Sequence, residues 1–467
     1  MNQLDRRGFL KAAGGSALAL AGRVPAPGQP AAKPLARARL PRGYLIVQDL
    51  GTYNTSQFGA ISTAAEAEET FSKLDGRLNA LEFASLYYGA HDLRAHEAVA
   101  RVGMAHKVDL WTSTFRFKFR AFGAPRPEFQ AHVMEADGHI VPADHAKAGA
   151  PPDPVFDVLN PEATDWLLGE YRKKYLERMK GLLAGLYFNE DCVPYLAPVA
   201  NKRRFDYWRN ATFSPRVLSL WRVYCKEHNV VAGGKLVDRF PVHDAQMVAN
   251  GGGQTAYFPG WNVPKTIEAG QRFARLPRAE GVWRHWDDFV CGAYLQNWIG
   301  RLAQMANEVN RQESGWKGVL YFGLHHWSLP YEQIANPEFR VPALHGWGAW
   351  GRQRGLDLQR LAAHPDVDIL ICETYPPMAA NLEDFVAEYA RITRAAGKTF
   401  GVMLHRDDKW ALKPEEEQRR WAAIAKFQPT VIARYPRQRM LPDDKFYNPE
   451  MEKLFAERLA HYRRGGK

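Results

Sequence analysis

The feature that most constrains this fold is a recurring unit. A short apolar, β-branched or aromatic run ends in a cluster of polar residues and is followed by a helical pattern. Eight such runs occur: GYLIVQDLGTYN (43–54), NALEFASLYYG (79–89), KVDLWTSTFRF (107–117), LLAGLYFNED (182–191), KGVLYFGLHHW (317–327), VDILICETYPP (367–377), KTFGVMLHRDD (398–408) and PTVIARYPR (429–437). Between most of them lie stretches with apolar residues three and four apart, such as AAEAEETFSKL, ATDWLLGEYRKKYLERMKG, LEDFVAEYARITRAAG and KPEEEQRRWAAIAKF. Strands this continuously apolar are buried on both faces, as in a parallel sheet covered by helices. Eight units predict an α/β fold of the (β/α)8 TIM-barrel type. An open doubly wound sheet would more often carry a Gly-rich phosphate turn, and no G-x-G-x-x-G is present. Residues 192–282 break the alternation and are expected to form a large insertion after the fourth strand.

The first residues carry a different signal. In DRRGFLKAAGGSALALAG, paired Arg6 and Arg7 precede Phe9 and Leu10, then a short Ala, Gly and Leu run, then Ala19-Leu20-Ala21. Residues 1–21 therefore resemble a twin-arginine-type export signal, which implies the export machinery as a partner during targeting. The apolar run is too short to span a bilayer, so no stable membrane insertion is expected. Residues 22–41 are Pro- and Ala-rich and are expected to be a linker, leaving 42–467 for the barrel. The mature protein is expected in the periplasm or outside the cell.

Charge and cysteine content narrow the function classes. The formal net charge is +11, but the basic residues are scattered rather than interleaved with stacking aromatics, so a nucleic-acid partner is not expected. Cys192, Cys225, Cys291 and Cys372 form no C-x-x-C pair, which argues against a Cys-rich zinc site and a disulfide scaffold. One disulfide and free buried thiols are both compatible with this spacing.

In such barrels the chemistry collects at the C-terminal strand ends. Those ends carry Asn189-Glu190-Asp191, His325-His326-Trp327, Glu373 with Tyr375, His405-Arg406-Asp407-Asp408, and Arg434-Tyr435. Glycosidic hydrolysis needs two carboxyl groups flanking the bond, one to protonate the leaving oxygen and one to act as nucleophile or base. Glu190 and Glu373 fit: each ends an apolar run with an aromatic nearby, and an apolar wall can raise an acid's pKa. Tyr187, Asn189, His326, Trp327, Tyr375 and Asp407 are expected to line a sugar site, the substrate being an oligosaccharide or polysaccharide. Trp261, Trp283 and Trp286 suit loop packing better than sugar platforms.

The pair NE at the end of the fourth run is similar to the acid/base signature of the retaining-glycosidase clan of (β/α)8 barrels, the β-galactosidase-like glycoside hydrolases. The layout around it, from FSPRVLSLWRVYCKEHNV through WRHWDDFVCGAYLQNW to VDILICETYPP, also resembles that clan across most of 43–440. The resemblance implies a barrel glycosidase with Glu190 as general acid/base. That clan carries its nucleophile Glu at the seventh strand end, where this chain has Leu404 and His405. Glu373 on the sixth strand, Asp407, or a different machinery is left to take that role, and the sequence leaves both inverting and retaining chemistry open.

Two other readings share the barrel. Glu190, Glu373, His325 and His405 are suitable ligands for a divalent metal in a sugar isomerase or epimerase, although no H-x-H or H-E-x-x-H spacing occurs. A carbohydrate-binding barrel without catalysis would also explain the absent seventh-strand Glu. The first expectation remains hydrolysis without metal or other cofactor.

Overall fold

The computed structural model describes residues 39–48, 61, 63–74, 76–84, 93–113, 126–134, 138–144, 152–189, 193–196, 209–241, 281–324, 355–374, 382–405, 413–435, 440–442 and 447–466. Eight strands form a closed barrel: β1 (Tyr44–Gln48), β2 (Ala80–Ala84), β3 (Asp109–Ser113), β4 (Gly185–Asn189), β5 (Gly318–Leu324), β6 (Ile369–Thr374), β7 (Thr399–His405) and β8 (Val431–Tyr435). Each pairs in parallel with its sequence neighbours, and β8 closes on β1. These are the eight runs expected from the sequence, and the fold is a (β/α)8 TIM barrel.

Helices connect the strands: α1 (Ala64–Lys73), α2 (Leu93–Ala105), α3 (Pro161–Tyr171), α4 (Pro215–Glu227), α5 (Gly281–Tyr294), α6 (Arg301–Asn310), α7 (Leu358–Ala363), α8 (Leu382–Ala395), α9 (Pro414–Ala425) and α10 (Pro449–Arg463). Their starts are written locally. Thr63 and Glu66 form a reciprocal capping box for α1, and Asn160, Ser214 and Asn448 each cap a helix that begins with proline. The π-helical segment Leu295–Gly300 runs straight on from α5 into α6.

Strand alternation produces two apolar layers. Tyr44, Ile46, Ala80, Trp111, Tyr187, Leu320, Phe322, Ile369, Ile371, Met403, Val431 and Ala433 form one cluster inside the barrel. Their neighbours, such as Leu45, Leu81, Leu110, Leu186, Phe188, Tyr321, Leu370, Cys372, Val402 and Ile432, pack outward against the helices. The near-continuous apolar character of each run is the sum of these two alternating sets.

Large rings fit inside because glycines stand opposite them. Trp111 and Gly185 are register partners, and a Cβ on Gly185 would lie 2.2 Å from the Trp111 ring and 2.7 Å from the Gly318 carbonyl oxygen. Trp111 Nε1 donates to the Tyr44 hydroxyl at 3.2 Å, and that hydroxyl donates to Asp109, which pairs with Lys317 at 3.2 Å. The ring that fills the barrel is thus also satisfied in its hydrogen bonding.

The short antiparallel pairings outside the barrel were not anticipated. A hairpin, His132–Met134 with Ile140–Pro142, lies between β3 and β4 and packs a small cluster around Val133 and Val155. Between β4 and β5, the described residues of 192–282 form the paired strands Tyr195–Leu196 and Arg209–Asn210, then α4, then the hairpin Val231–Ala232 with Lys235–Leu236. Trp283 and Trp286 are buried; Trp286 stacks on Phe213 and meets Trp221 edge-on, consistent with packing. Cys225, Cys291 and Cys372 are free and buried, while Cys192 lies outside the described residues. Among the described residues no helix is long and apolar enough to cross a membrane.

Overpacking the barrel interior should be costly. Gly185→Ala is expected to destabilise the protein by about 2 kcal/mol or more, measured by urea unfolding, whereas alanine at exposed Gly76 faces open space and is limited by its positive φ alone.

Candidate active site

The parallel barrel brings all eight C-terminal strand ends to one face. Asn189 is the last residue of β4 and pairs with Phe322 of β5; Glu373 is the penultimate residue of β6 and pairs with Met403 of β7. Ile369, Ile371 and Tyr187, earlier on these two strands, belong to the interior cluster. Glu190 follows Asn189 directly in the chain. The described residues therefore establish where the β4 and β6 ends lie. Glu190, His326, Trp327, Tyr375 and Asp407 themselves lie outside the described residues, as do His325 and Asp191.

Tyr187 is fully buried, two positions before the end of β4, with its ring tilted against Phe322 at 5.7 Å. It belongs to the floor beneath the mouth. Arg434 turns away from the mouth, with its buried guanidinium in a bidentate pair with Glu452 of α10, one contact at 2.8 Å, and lying 4.3 Å over the Phe455 ring. Arg77 adds a second cation to Glu452 at 3.2 Å. This strand-end arginine braces α10 against the barrel.

Strand β5 carries a feature that the sequence reading missed. Its register with β6 shifts between Phe322 and Leu324, and Gly323 has φ of 88°. A bulge at a barrel rim bends the strand that carries it. The signal was present as an isolated glycine inside a strand pattern.

Two buried polar ties fix the loops around this face. The first is Asp157, just before α3. It accepts from Ser214 Oγ at 2.5 Å and from the Leu159 amide at 3.2 Å. Ser214 also caps α4 by accepting from the Val217 amide at 3.2 Å. Because α3 precedes β4 and α4 follows it, this contact joins the two helices that flank the strand in sequence. Asn297, on the π segment, donates to the Leu159 carbonyl at 2.8 Å and supports the same turn. The second tie is at β6. Thr374 Oγ1 donates to the Met403 carbonyl of β7 at 2.5 Å, and Arg420 of α9 donates to the Thr374 carbonyl at 3.0 Å and to its Oγ1 at 3.1 Å.

Burial pushes the Asp157 carboxyl up to about 7, against the opposing influence of its Ser214 and backbone hydrogen bonds. A carboxyl raised in the folded state favours folding fully below its unfolded pKa, near 3.8, and loses that contribution as pH rises toward about 7. Among the described residues no group of three or more His, Cys, Asp or Glu is arranged to hold a metal ion. The metal set considered from the sequence involves Glu190 and His325, which lie outside the described residues.

No family model matches this chain, and no curated protein sequence does. Among solved structures, it is similar to the catalytic domain of beta-amylase from Paenibacillus polymyxa, at 13% identity over 88% of this chain and 96% of that one, with a TM-score of 0.56. It also aligns with the endo-beta-1,4-mannanase from Thermotoga petrophila, at 9% identity over 92% of this chain and 78% of that one, with a TM-score of 0.45. The amylase domain and this chain share a fold. At such identity the likeness extends to architecture and no further.

The Asp157 clamp yields a signed expectation. Between pH 4 and 7 the wild type should lose stability relative to Asp157→Asn, by an amount on the order of a few kcal/mol across the range. Urea unfolding of both proteins at intervals of pH would measure it; parallel stability curves would contradict it.

Proposed function

We propose that this chain is an exported glycoside hydrolase that cleaves a glycosidic bond with a pair of carboxyl groups, Glu190 as general acid and Glu373 as the second carboxylate. The observation that carries the reading is the placement of the β4 and β6 ends on one face of a closed parallel barrel, with Glu190 following one and Glu373 within the other. The shared fold with a beta-amylase catalytic domain, across nearly its whole length, supports a carbohydrate substrate. In this reading Asn189 donates to a ring hydroxyl, His326, Trp327, Tyr375 and Asp407 line the sugar site, and Tyr187 underlies it.

The absent seventh-strand Glu is the feature on which we propose a direct displacement. One strand, β5, separates β4 from β6, so their axes lie roughly 9 Å apart at ordinary strand spacing. Inverting enzymes hold their carboxyls about 6.5–9.5 Å apart to admit a water, and retaining enzymes about 5–5.5 Å. In this reading water attacks directly, activated by Glu373, as Glu190 protonates the departing oxygen. The departure at β7, where Leu404 and His405 stand in place of an expected nucleophile, agrees with a mechanism that forms no glycosyl-enzyme.

The export signal at 1–21, the linker at 22–41, the insertion at 192–282 and a periplasmic or extracellular location belong to the same proposal and rest on the sequence. Turnover of a panel of glycans by the wild type, Glu190→Gln and Glu373→Gln, with and without chelator, tests it. Each variant is expected to lose about a hundredfold or more in kcat while remaining folded, with wild-type activity indifferent to chelator. Chelator-sensitive activity would assign the site to a metal-dependent reaction. Tight glycan binding without turnover would assign it to a binding protein.

A further inference from the structure

Arg420 stands out among the buried charges because of where it reaches. It sits on α9, between β7 and β8, with 2% of its surface exposed, and its guanidinium crosses behind β7 to the last residue of β6. Its carboxylate neighbour, Glu417, lies 3.6 Å away, also buried. Burial alone disfavours its charge, and Glu417 and Glu416 offset this in part. A chain that needs only to fill this space would do so at lower cost with an apolar side chain.

The atoms Arg420 holds belong to the candidate catalytic strand end. Its Nη2 is shared between the Thr374 carbonyl and the Thr374 hydroxyl, and that hydroxyl donates onward to the Met403 carbonyl. Met403 is the register partner of Glu373, and Leu404 that of Thr374. The three groups thus form a continuous chain of hydrogen bonds around the peptide that joins Glu373 to Tyr375. A charge-assisted donor on a strand-end carbonyl restrains the backbone more strongly than a neutral one. It does so where the ladder ends and the peptide would otherwise be free to swing.

We infer that Arg420, acting through Thr374, is a positioning residue that fixes the β6 end so that Glu373 stays in register for catalysis. This rests on the assignment of Glu373 in the proposed function. Neither residue enters the reaction itself: Arg420 contacts no reacting atom and transfers no proton. Its work is to limit displacement, and displacements near 1 Å in a catalytic group lower rates by up to about a hundredfold.

The experiment compares kcat and KM on a hydrolysed glycan for the wild type, Thr374→Val, Thr374→Ser, Arg420→Lys and the double variant Thr374→Val/Arg420→Lys. Thr374→Val keeps shape and β propensity, so it serves even where Arg420 variants fold poorly. The expectation is that Thr374→Val and Arg420→Lys each lower kcat about tenfold or more with KM within about twofold. Thr374→Ser should restore most of the loss, and the double variant should fall by less than the product of the singles because one network is broken twice. Folded Thr374→Val with wild-type kcat, or a loss expressed only in KM, would overturn the positioning role while leaving Glu373 in place. Full activity in Glu373→Gln, or a wild type that hydrolyses no glycan, would instead overturn the site assignment and the inference with it.

Discussion

The structure depends on how eight parallel strands close around their own side chains. A barrel of this size has an interior just large enough to be filled by layers of residues, and here much of one layer is a single indole. Trp111 occupies the space that Gly185 leaves on the neighbouring strand, and Tyr44, Asp109 and Lys317 complete its polar contacts. Tyr187 and Phe322 form the next layer toward the C-terminal face. With that interior packed, the strand ends have nowhere to slip, and the residues that terminate them acquire fixed relative positions.

Function in this fold is then a matter of what the ends carry and how they are braced. Asp157 and Ser214 join the turn before α3 to the start of α4, the elements that flank β4 in sequence. The β6 end is held by Thr374 and Arg420. The β8 end is held from behind by the Arg434–Glu452 pair. The braces at β6 and β8 lie in the layer between strand and helix, where water is excluded and a hydrogen bond or ion pair is stronger than in water.

The architecture was largely legible from sequence because both faces of each barrel strand are buried. Runs such as GVLYFGL and the ILIC that opens β6 are apolar at every position, and no alternation had to be recognised. The hairpin at 132–142 escaped notice for the opposite reason, since its strands are three residues long with a half-exposed pattern. The strand-end carboxylates Glu190 and Glu373 could be singled out because a charge after an apolar run is itself conspicuous. Their supports could not. Asp157 and Ser214 lie 57 positions apart and Thr374 and Arg420 lie 46 apart, and only the closed barrel brings them together. Arg434 drew attention as a strand-end cation, but its parity sends it to the helix layer, a distinction that depends on register and not on composition.

The central claim is that two carboxyl groups on β4 and β6, separated by one intervening strand, perform a single displacement. The most direct test is the anomeric configuration of the first-formed product, followed by proton NMR during hydrolysis before mutarotation equalises the anomers. The account predicts inversion, the anomer opposite to that of the cleaved bond. Net retention would contradict it, because it requires a carboxylate nucleophile that forms a glycosyl-enzyme in place of direct attack by water.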